Sequence, residues 1–201
     1  MPKDRTIKRK DQITQIAQNK FREKGYRAVS MRELADHVGI EAASFYNHFD
    51  SKESILKEIC FRMADEFFNG LEKAIKNESQ PDKQLTKAIA SHINVITANA
   101  DASAVFFHDW RYLSEPDLSE FKELRRKYEA IFRKIIREGM SKGIFEKQDE
   151  TFSVLTIFSS LNWVYEWYDA KGKFTPAQIA ENLSNLILNG MRRGEKVKSE
   201  K

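Results

Sequence analysis

The sequence predicts an all-α protein, and three observations support that prediction. Only 8 of the 201 residues are Gly and 4 are Pro, so few residues interrupt a helix. Apolar residues recur every three or four positions along most of the chain, the spacing that places them on one helix face. No segment shows the alternation of apolar and polar residues that is typical of a half-buried strand.

Composition narrows the class of protein further. Apolar residues make up 41% and charged residues 32%, which excludes a disordered chain. No apolar run approaches the roughly 18 residues of a membrane span. The first nine residues carry charges with no apolar segment behind them, so we expect no signal peptide and a cytoplasmic location. The single cysteine, Cys60, excludes an intrachain disulfide and lies among apolar residues, so we expect an inert core thiol.

The first predicted helix covers about 8–24. Its apolar positions include Ile13 and Phe21, and it ends at Gly25, a residue suited to the left-handed backbone after a helix. It follows a basic arm at 1–10. Two interpretations of this arm remain open: it contacts the minor groove or phosphates of DNA, or it is a solvated tail.

Two short helices come next. The second helix is predicted over 31–38 because Ser30 and Glu33 form a capping box before it and Gly39 follows it. A third short helix is predicted over 41–48. Two short helices joined by a glycine-containing turn predict a helix-turn-helix motif.

The remaining elements define the domain organisation. The helix-turn-helix domain at 1–50 is followed by a connecting helix at 51–77, in which apolar residues recur every fourth position. The clearest break in the chain, at 77–82 with Ser79 and Pro81, separates this helix from a helical domain over 78–191, and a charged tail follows at 192–201. Helical spacing in that domain covers 85–96, 105–113, 121–140, 150–170 and 176–191.

The segment from Ser30 to Lys52 is the part of the chain that predicts a function. Its third helix has a small outward face (Ala42, Ala43, Ser44), which would let the backbone lie deep in a DNA major groove about 12 Å wide. Around that face stand donors suited to phosphates, namely Ser30, Tyr46, His48 and Lys52. The alternative is that Tyr46 and His48 are ordinary half-buried surface residues of a helical hairpin.

The order and spacing of these residues resemble a known family. The pattern is Phe21, Gly25-Tyr26, Ser30-Met31-Arg32-Glu33-Leu34-Ala35, Val38-Gly39-Ile40, Ala43 to Phe49 and Ser51-Lys52-Glu53. This run of about fifty residues resembles the DNA-binding domain of the tetracycline-repressor (TetR) family of bacterial transcriptional regulators.

The resemblance implies a nine-helix homodimer that binds a palindromic double-stranded operator and a small-molecule effector. By position, it implies phosphate contacts for Ser30, Tyr46, His48 and Lys52. The resemblance also places five residues at or near base edges: Arg32, Ala42, Ala43, Ser44 and Asn47.

Glu41 departs from the family pattern, which often has Ser or Thr at the start of the recognition helix. A carboxylate there can cap the helix or accept a hydrogen bond from cytosine N4, and it also repels phosphates. The sequence of the operator therefore stays open.

The last two helices predict the dimer interface. Their apolar faces are too wide for one partner, so we expect a homodimer in which each subunit contributes both helices to a four-helix interface. The residues placed in that interface or in the core beneath it are Phe158, Leu161, Ile179, Leu183, Leu186 and Ile187.

Aromatic residues concentrate between positions 106 and 168 and predict an apolar cavity with a few polar anchors. The predicted lining is His92, Phe106, Phe107, Trp110, Arg125, Tyr128, Phe132, Asn162, Trp163 and Trp167. The alternative is that these rings form an ordinary core. The same region resembles family members that respond to acyl-coenzyme A (acyl-CoA) thioesters.

An acyl-CoA effector needs cations for its phosphates. The seventh helix offers Arg125, Arg126, Lys127, Arg133, Lys134 and Arg137. The alternative for these side chains is a solvated basic face that nearby glutamates balance.

Three other functions compete with the acyl-CoA-responsive regulator. One is a TetR-like repressor of an efflux or detoxification gene that senses hydrophobic drugs, and another is a helical adaptor without DNA binding. An enzyme is the third, and the sequence disfavours it. The four histidines form no i, i+4 metal pair, and neither a glycine-rich phosphate loop nor a nucleophile elbow is present. We therefore expect no metal and no cofactor besides the effector.

Overall fold

The computed structural model describes residues 2–191, the side chains of residues 2–8 and Ala42 excepted, and the regular elements of this part of the chain are all helices. Its elements, in order, are α1 (Pro2–Lys24), a 3-10 turn η1 (Tyr26–Ala28), α2 (Met31–Val38), α3 (Ala42–Tyr46), α4 (Lys52–Ile75), α5 (Pro81–Ala98), α6 (Ala100–His108), a 3-10 turn η2 (Asp109–Tyr112), α7 (Asp117–Ser141), α8 (Glu150–Asn162), α9 (Val164–Trp167) and α10 (Pro176–Met191). Only Trp163, with a helical backbone, separates the single turn α9 from α8. When α9 is counted as part of α8, the described residues contain nine α-helices, which confirms the all-α, nine-helix prediction.

Helix α1 begins at Pro2, earlier than the predicted start near residue 8. Apolar periodicity reveals only the part of a helix that packs, and the first turns of α1 carry no such pattern. Pro2 suits the first position of a helix, and the Lys and Arg residues after it are good helix formers. The backbone of the predicted basic arm is therefore helical from Pro2 on. The predicted charged tail at 192–201 lies outside the described residues.

The chain divides into two compact units. Unit 1 contains the residues up to Glu66 together with Ala98–Arg125, and unit 2 contains Phe67–Thr97 together with the residues from Arg126 on. This division differs from the predicted boundaries at 50 and 77 because α4, α5 and α7 are continuous helices that belong to both units.

The core of unit 1 fixes the helix-turn-helix on α1 and the first half of α4. Phe21 of α1 and Phe45 of α3 are buried, as is Leu34 of α2. Ile55 and Ile59 of α4 complete this apolar layer. Burying side chains of this size contributes about 1.5–3 kcal/mol each, so packing rather than length stabilises the short α2 and α3.

Unit 2 has a separate core in which α7 packs closely on the segment that follows it. Phe132 and Ile136 of α7 are buried, and so is Phe145. A Cβ added at Gly139 would lie 2.1 Å from the Phe145 ring. Only glycine lets the Phe145 ring approach the α7 backbone this closely.

Candidate functional site

Local interactions predicted by the sequence build the helix-turn-helix. Ser30 precedes α2, and its Oγ accepts a hydrogen bond from the Glu33 amide at 3.1 Å. The Glu33 carboxylate accepts from Lys24 Nζ at 2.5 Å, and this contact, together with the Ser30 amide, lowers its pKa. Gly39 ends α2 with a φ of 73°, a backbone conformation that favours glycine. The capping box and the glycine turn therefore set how α3 follows α2.

Helix α3 is anchored on one side and exposed on the other. Phe45 is completely buried, and Phe49 is 4% exposed. Ala43, Ser44 and Asn47 are exposed. Small and polar side chains therefore form the outward face of α3.

The other predicted DNA-contacting residues surround this face. Ser30 and Arg32 are exposed, and Tyr46 is 50% exposed. His48 is half-buried, and its buried Nδ1 has no hydrogen-bond partner among the described residues. Ala42 begins α3, and its side chain lies outside the described part of the structure. The contacts of all these residues with DNA stay predictions.

Lys52 contacts the backbone around the η1 turn. Its Nζ donates to the backbone carbonyls of Tyr26, Arg27 and Val29 at 2.7, 3.3 and 2.8 Å. The same Nζ lies 4.4 Å from the centroid of the Tyr26 ring. An ammonium group has three donors, so these carbonyls engage all of them. Lys52 therefore ties the chain around η1 to the start of α4, and its contact with a DNA phosphate stays a prediction.

A second set of contacts links the same region to the segment around η2. The Tyr26 and Tyr112 rings stack with centroids 5.1 Å apart, and the Arg27 guanidinium lies 4.8 Å from the Tyr112 centroid. The Glu53 carboxylate accepts from the Ser114 amide at 2.6 Å and from its hydroxyl at 3.2 Å. We call these five residues the joint. Sequence analysis missed it because Glu53 and Ser114 are 61 residues apart and no local pattern links them.

Four of the predicted pocket residues belong to unit 1 and lie around Phe121. The Phe106 ring packs edge-on against Phe107 and Phe121, with centroids 5.0 and 5.2 Å apart. The Trp110 ring lies 5.9 Å from Phe121, and the Arg125 guanidinium lies 5.0 Å from the centroid of Trp110. These residues form an aromatic group with one cation beside it.

Besides His48 Nδ1, two buried polar atoms of unit 1 lack a hydrogen-bond partner among the described residues. They are Nε1 of Trp110 and the Oγ of Ser103 on α6. Leaving a buried donor or acceptor unpaired costs about 1–3 kcal/mol. Each atom is therefore a candidate contact for a bound molecule, and sequence analysis did not single out Ser103.

The predicted pocket residues of unit 2 include a buried polar cluster. His92 is buried, with Nδ1 3.1 Å from the Tyr128 hydroxyl and Nε2 3.0 Å from Asn162 Oδ1. The Phe67 ring stacks on the imidazole at 4.6 Å, and the rings of Phe132 and Phe158 are 4.8 Å apart. Burial lowers the pKa of His92 to about 3, so its imidazole is neutral at pH 7.

Trp163 and Trp167, two of the predicted pocket-lining residues, are exposed at the surface of the chain, and their contact with a ligand stays a prediction. Their exposed fractions are 58% and 47%. Trp163 follows Phe152 and Leu155 at helical spacing on the outward side of α8, and both of these are exposed as well. Aromatic composition indicated a cavity, but the helix face on which each ring lies decided its burial.

Two of the cations predicted for a CoA ligand are engaged within unit 2. Arg137 makes a bidentate contact with Glu150 at 2.9 and 2.7 Å, which raises the pKa of Arg137 and lowers that of Glu150. Arg133 donates to the Thr151 hydroxyl at 3.0 Å. For these two residues the structure favours the alternative, in which the basic face of α7 is balanced by its neighbours.

Helices α8 and α10 present an uncovered apolar face. Phe152 and Leu186 are each 73% exposed, and Leu155 is 58% exposed. A groove of about 320 Å³ between these helices is lined in part by Leu183 and Ile187. Beneath it, the buried members of the predicted set are Phe158, Leu161 and Ile179.

Residues 2–191 lack two kinds of feature. No helix there has the length and apolar character that crossing a membrane requires. No three His, Cys, Asp or Glu side chains of this part are grouped so that they could hold a metal ion.

Comparison with known proteins decides the family. A family model described as the C-terminal domain of tetracyclin repressor-like proteins matches residues 78–191, and one described as bacterial regulatory proteins of the tetR family matches residues 13–59. The chain belongs to the TetR family. As a TetR-family member it is a DNA-binding transcriptional regulator that responds to a small-molecule ligand, as the sequence predicts.

Similar proteins extend over nearly the whole chain. The transcriptional repressor KstR2 of Mycolicibacterium smegmatis is 24% identical over 189 residues, which cover 93% of this chain and 92% of KstR2. Two solved structures share the TetR fold. KstR2 of Mycobacterium tuberculosis, described as a ketosteroid transcriptional regulator, has a TM-score of 0.88 at 22% identity, covering 92% of this chain and 96% of the other. AibR in complex with isovaleryl coenzyme A and operator DNA has a TM-score of 0.80 at 21% identity, covering 89% and 97%.

Proposed function

We propose that this TetR-family chain is a repressor that binds a palindromic operator as a homodimer and is released by an acyl-CoA thioester. The outward face of α3 carries the DNA-binding part of the proposal, because exposed Ala43, Ser44 and Asn47 stand opposite the buried anchor Phe45. A helix with such a face can approach base edges in the major groove. The name of the similar KstR2 proteins supports repression over activation.

The homodimer rests on the apolar face of α8 and α10. Side chains as exposed as Phe152, Leu155 and Leu186 rarely form a contiguous uncovered patch on a monomer. A two-fold axis through this face would bring identical patches together. The resulting dimer would present two copies of α3 to half-sites about one DNA turn, or 34 Å, apart. We expect it to act in the cytoplasm, where the operator is, and not as an enzyme.

An acyl-CoA effector is supported by chemistry in unit 1 and by one structural neighbour. The rings of Phe106, Trp110 and Phe121 form an apolar cluster, which we expect an acyl chain to contact. Trp110 Nε1 and the Ser103 hydroxyl are buried donors that a thioester carbonyl would satisfy. The AibR structure contains isovaleryl-CoA, which makes a thioester the first ligand class to test.

The joint offers a route from this ligand to the DNA-reading helix. Trp110 belongs to η2, and η2 ends at Tyr112, which stacks on Tyr26 next to the helix-turn-helix. An effector that favours another position of η2 would shift the population away from the DNA-binding conformation. A hundredfold loss of operator affinity requires a coupling free energy of about 2.7 kcal/mol.

The test is a DNA-binding titration by fluorescence anisotropy with promoter fragments that flank the protein's own gene. We expect binding that weakens steeply with salt, and release by short-chain, long-chain or aromatic acyl-CoA but not by free CoA or the free acids. Absence of binding to every fragment would overturn the proposed regulator. Release by hydrophobic drugs alone would replace the thioester with the efflux or detoxification alternative.

A further inference from the structure

Glu41 occupies an unusual place at the start of the reading helix. It is the N-cap residue of α3 and is exposed, with a φ of −62° and a ψ of 145°. Ser30 holds the equivalent position before α2, and its side chain caps that helix. The Glu41 side chain makes no such capping bond.

This observation separates the two roles that a carboxylate could have at the start of α3. A capping acid accepts from the amide two or three residues ahead, and such a bond is absent here. No described residue forms an ion pair or a hydrogen bond with the Glu41 carboxylate, so its two oxygens are not engaged within this part of the chain. The carboxylate is therefore available to a partner outside the chain.

Major-groove chemistry limits which partner that is. An ionised carboxylate only accepts hydrogen bonds, and the donors on base edges in the major groove are cytosine N4 and adenine N6. Adenine also presents N7, an acceptor that repels the second carboxylate oxygen, whereas the cytosine edge presents no acceptor beside N4. Phosphates repel the group as well. The base that fits a carboxylate here is cytosine.

We propose that Glu41 is a specificity-determining residue whose carboxylate accepts a hydrogen bond from the N4 amino group of one cytosine in each operator half-site. The inference rests on the proposed function, because it requires α3 to enter the major groove. The inference predicts one base, a cytosine, in each half-site of an operator whose sequence is otherwise open.

The experiment is selection of binding sites from a randomised duplex library by the full-length wild type and three variants. For the wild type we expect a palindrome with one cytosine per half-site that is preferred about five- to 150-fold over other bases, the range of a good base contact. Glu41→Ala should reduce that preference to about twofold or less and leave the other positions unchanged. Glu41→Gln should shift it toward adenine, which an amide reads through N6 and N7.

Glu58→Ala is the matched control. Glu58 is exposed on α4, so the variant loses the same charge without changing the reading helix. It should keep the cytosine preference. Thermal melting of Glu41→Ala should match the wild type, since the Glu41 side chain makes no bond in the structure.

The outcomes separate this inference from the function beneath it. Suppose that the wild type enriches a palindrome and that Glu41→Ala keeps the base preference at every position. This result would overturn the role of Glu41 but not the proposed DNA-binding function. A wild type that enriches no sequence would overturn the proposed DNA-binding function and the role of Glu41 with it. Loss of the preference in Glu58→Ala would also overturn the role of Glu41, because charge alone would then account for the effect.

Discussion

At the scale of single residues, the acceptors within reach of a cation determine what it does. Lys52 Nζ lies within 3.3 Å of three backbone carbonyls around the η1 turn. Partial burial lowers the pKa of its ammonium group, while the Asp109 carboxylate raises it by less. Hydrogen bonds to charged groups contribute about 1.5–3 kcal/mol, more than neutral ones. Lys52 is therefore a positioning residue for the helix-turn-helix.

Lys52→Met should reduce the free energy of unfolding by about 1–3 kcal/mol, because three carbonyls lose their charged donor. Urea denaturation at pH 7 measures this. The matched control is Lys83→Met, an exposed lysine on α5, which should change stability by less than about 0.5 kcal/mol. If Lys52→Met has unchanged stability but binds the operator more weakly, the result would support the predicted phosphate contact and contradict the internal role.

Asp109 makes stability depend on pH in the opposite sense to most carboxylates. Burial raises its pKa to about 6, against about 3.9 in an unfolded chain, while His108 and Lys52 lower it by less. The folded state then binds more protons between about pH 4 and 6, so this group reduces stability as the pH rises through that window. Above about pH 6 its contribution is constant.

Asp109→Asn should gain stability relative to the wild type between pH 4 and pH 6 and keep that gain up to pH 8. Thermal melts across this range give the difference. Asp65→Asn, at an exposed position of α4, is the matched control that removes the same charge. A difference for Asp109→Asn that is flat from pH 4 to 8 would contradict the raised pKa.

At the scale of elements, one close approach decides how α7 continues into the segment before α8. Gly139 lies in α7, and the Phe145 ring covers it with three ring carbons within 2.9 Å of where a Cβ would stand. Phe145 is 2% exposed and cannot move outward without losing its burial. The helix keeps a poor helix former here because packing outweighs propensity.

Gly139→Ala should destabilise the protein by about 1–3 kcal/mol despite the better helix propensity of alanine, because overpacking outweighs the gain. Chemical denaturation of a double-mutant cycle tests the cause. In a Phe145→Ala background the same substitution should cost nothing or stabilise. If Gly139→Ala is equally costly in both backgrounds, contact with Phe145 is not the reason.

At the scale of the whole molecule, the apolar face of α8 and α10 links stability to assembly. Leu186 on this face is 73% exposed, and a second copy of the chain can cover it. Assembly is then coupled to function, because a palindrome is read by two copies of α3.

Leu186→Glu should convert the dimer into a monomer at micromolar concentration, because two-fold symmetry brings two carboxylates into one apolar interface. Sedimentation equilibrium measures the assembly, and operator affinity should fall with it. The control is Phe174→Glu in the loop before α10, a 43% exposed ring that should leave the dimer intact. A dimeric Leu186→Glu would contradict the interface.

Much of the fold could be predicted because its signals are local. The capping box at Ser30 and Glu33, the glycine at position 39 and the apolar spacing of α4 each act within a few residues. The start of α1 was missed because its first residues carry no apolar periodicity. The exposed face of small residues on α3 could be named in advance, while the joint could not, since Tyr26 and Tyr112 are distant in sequence.

The sequence by itself determined that this chain is helical and carries the reading motif of a TetR regulator, because caps, turns and periodicity depend on near neighbours. Only the tertiary structure decided what Lys52 binds, that Trp163 lies at the surface and that the Glu41 carboxylate has no capping bond. Those outcomes depend on which groups the folded chain brings within hydrogen-bond distance and which it leaves to solvent. Spacing along a chain does not encode that directly.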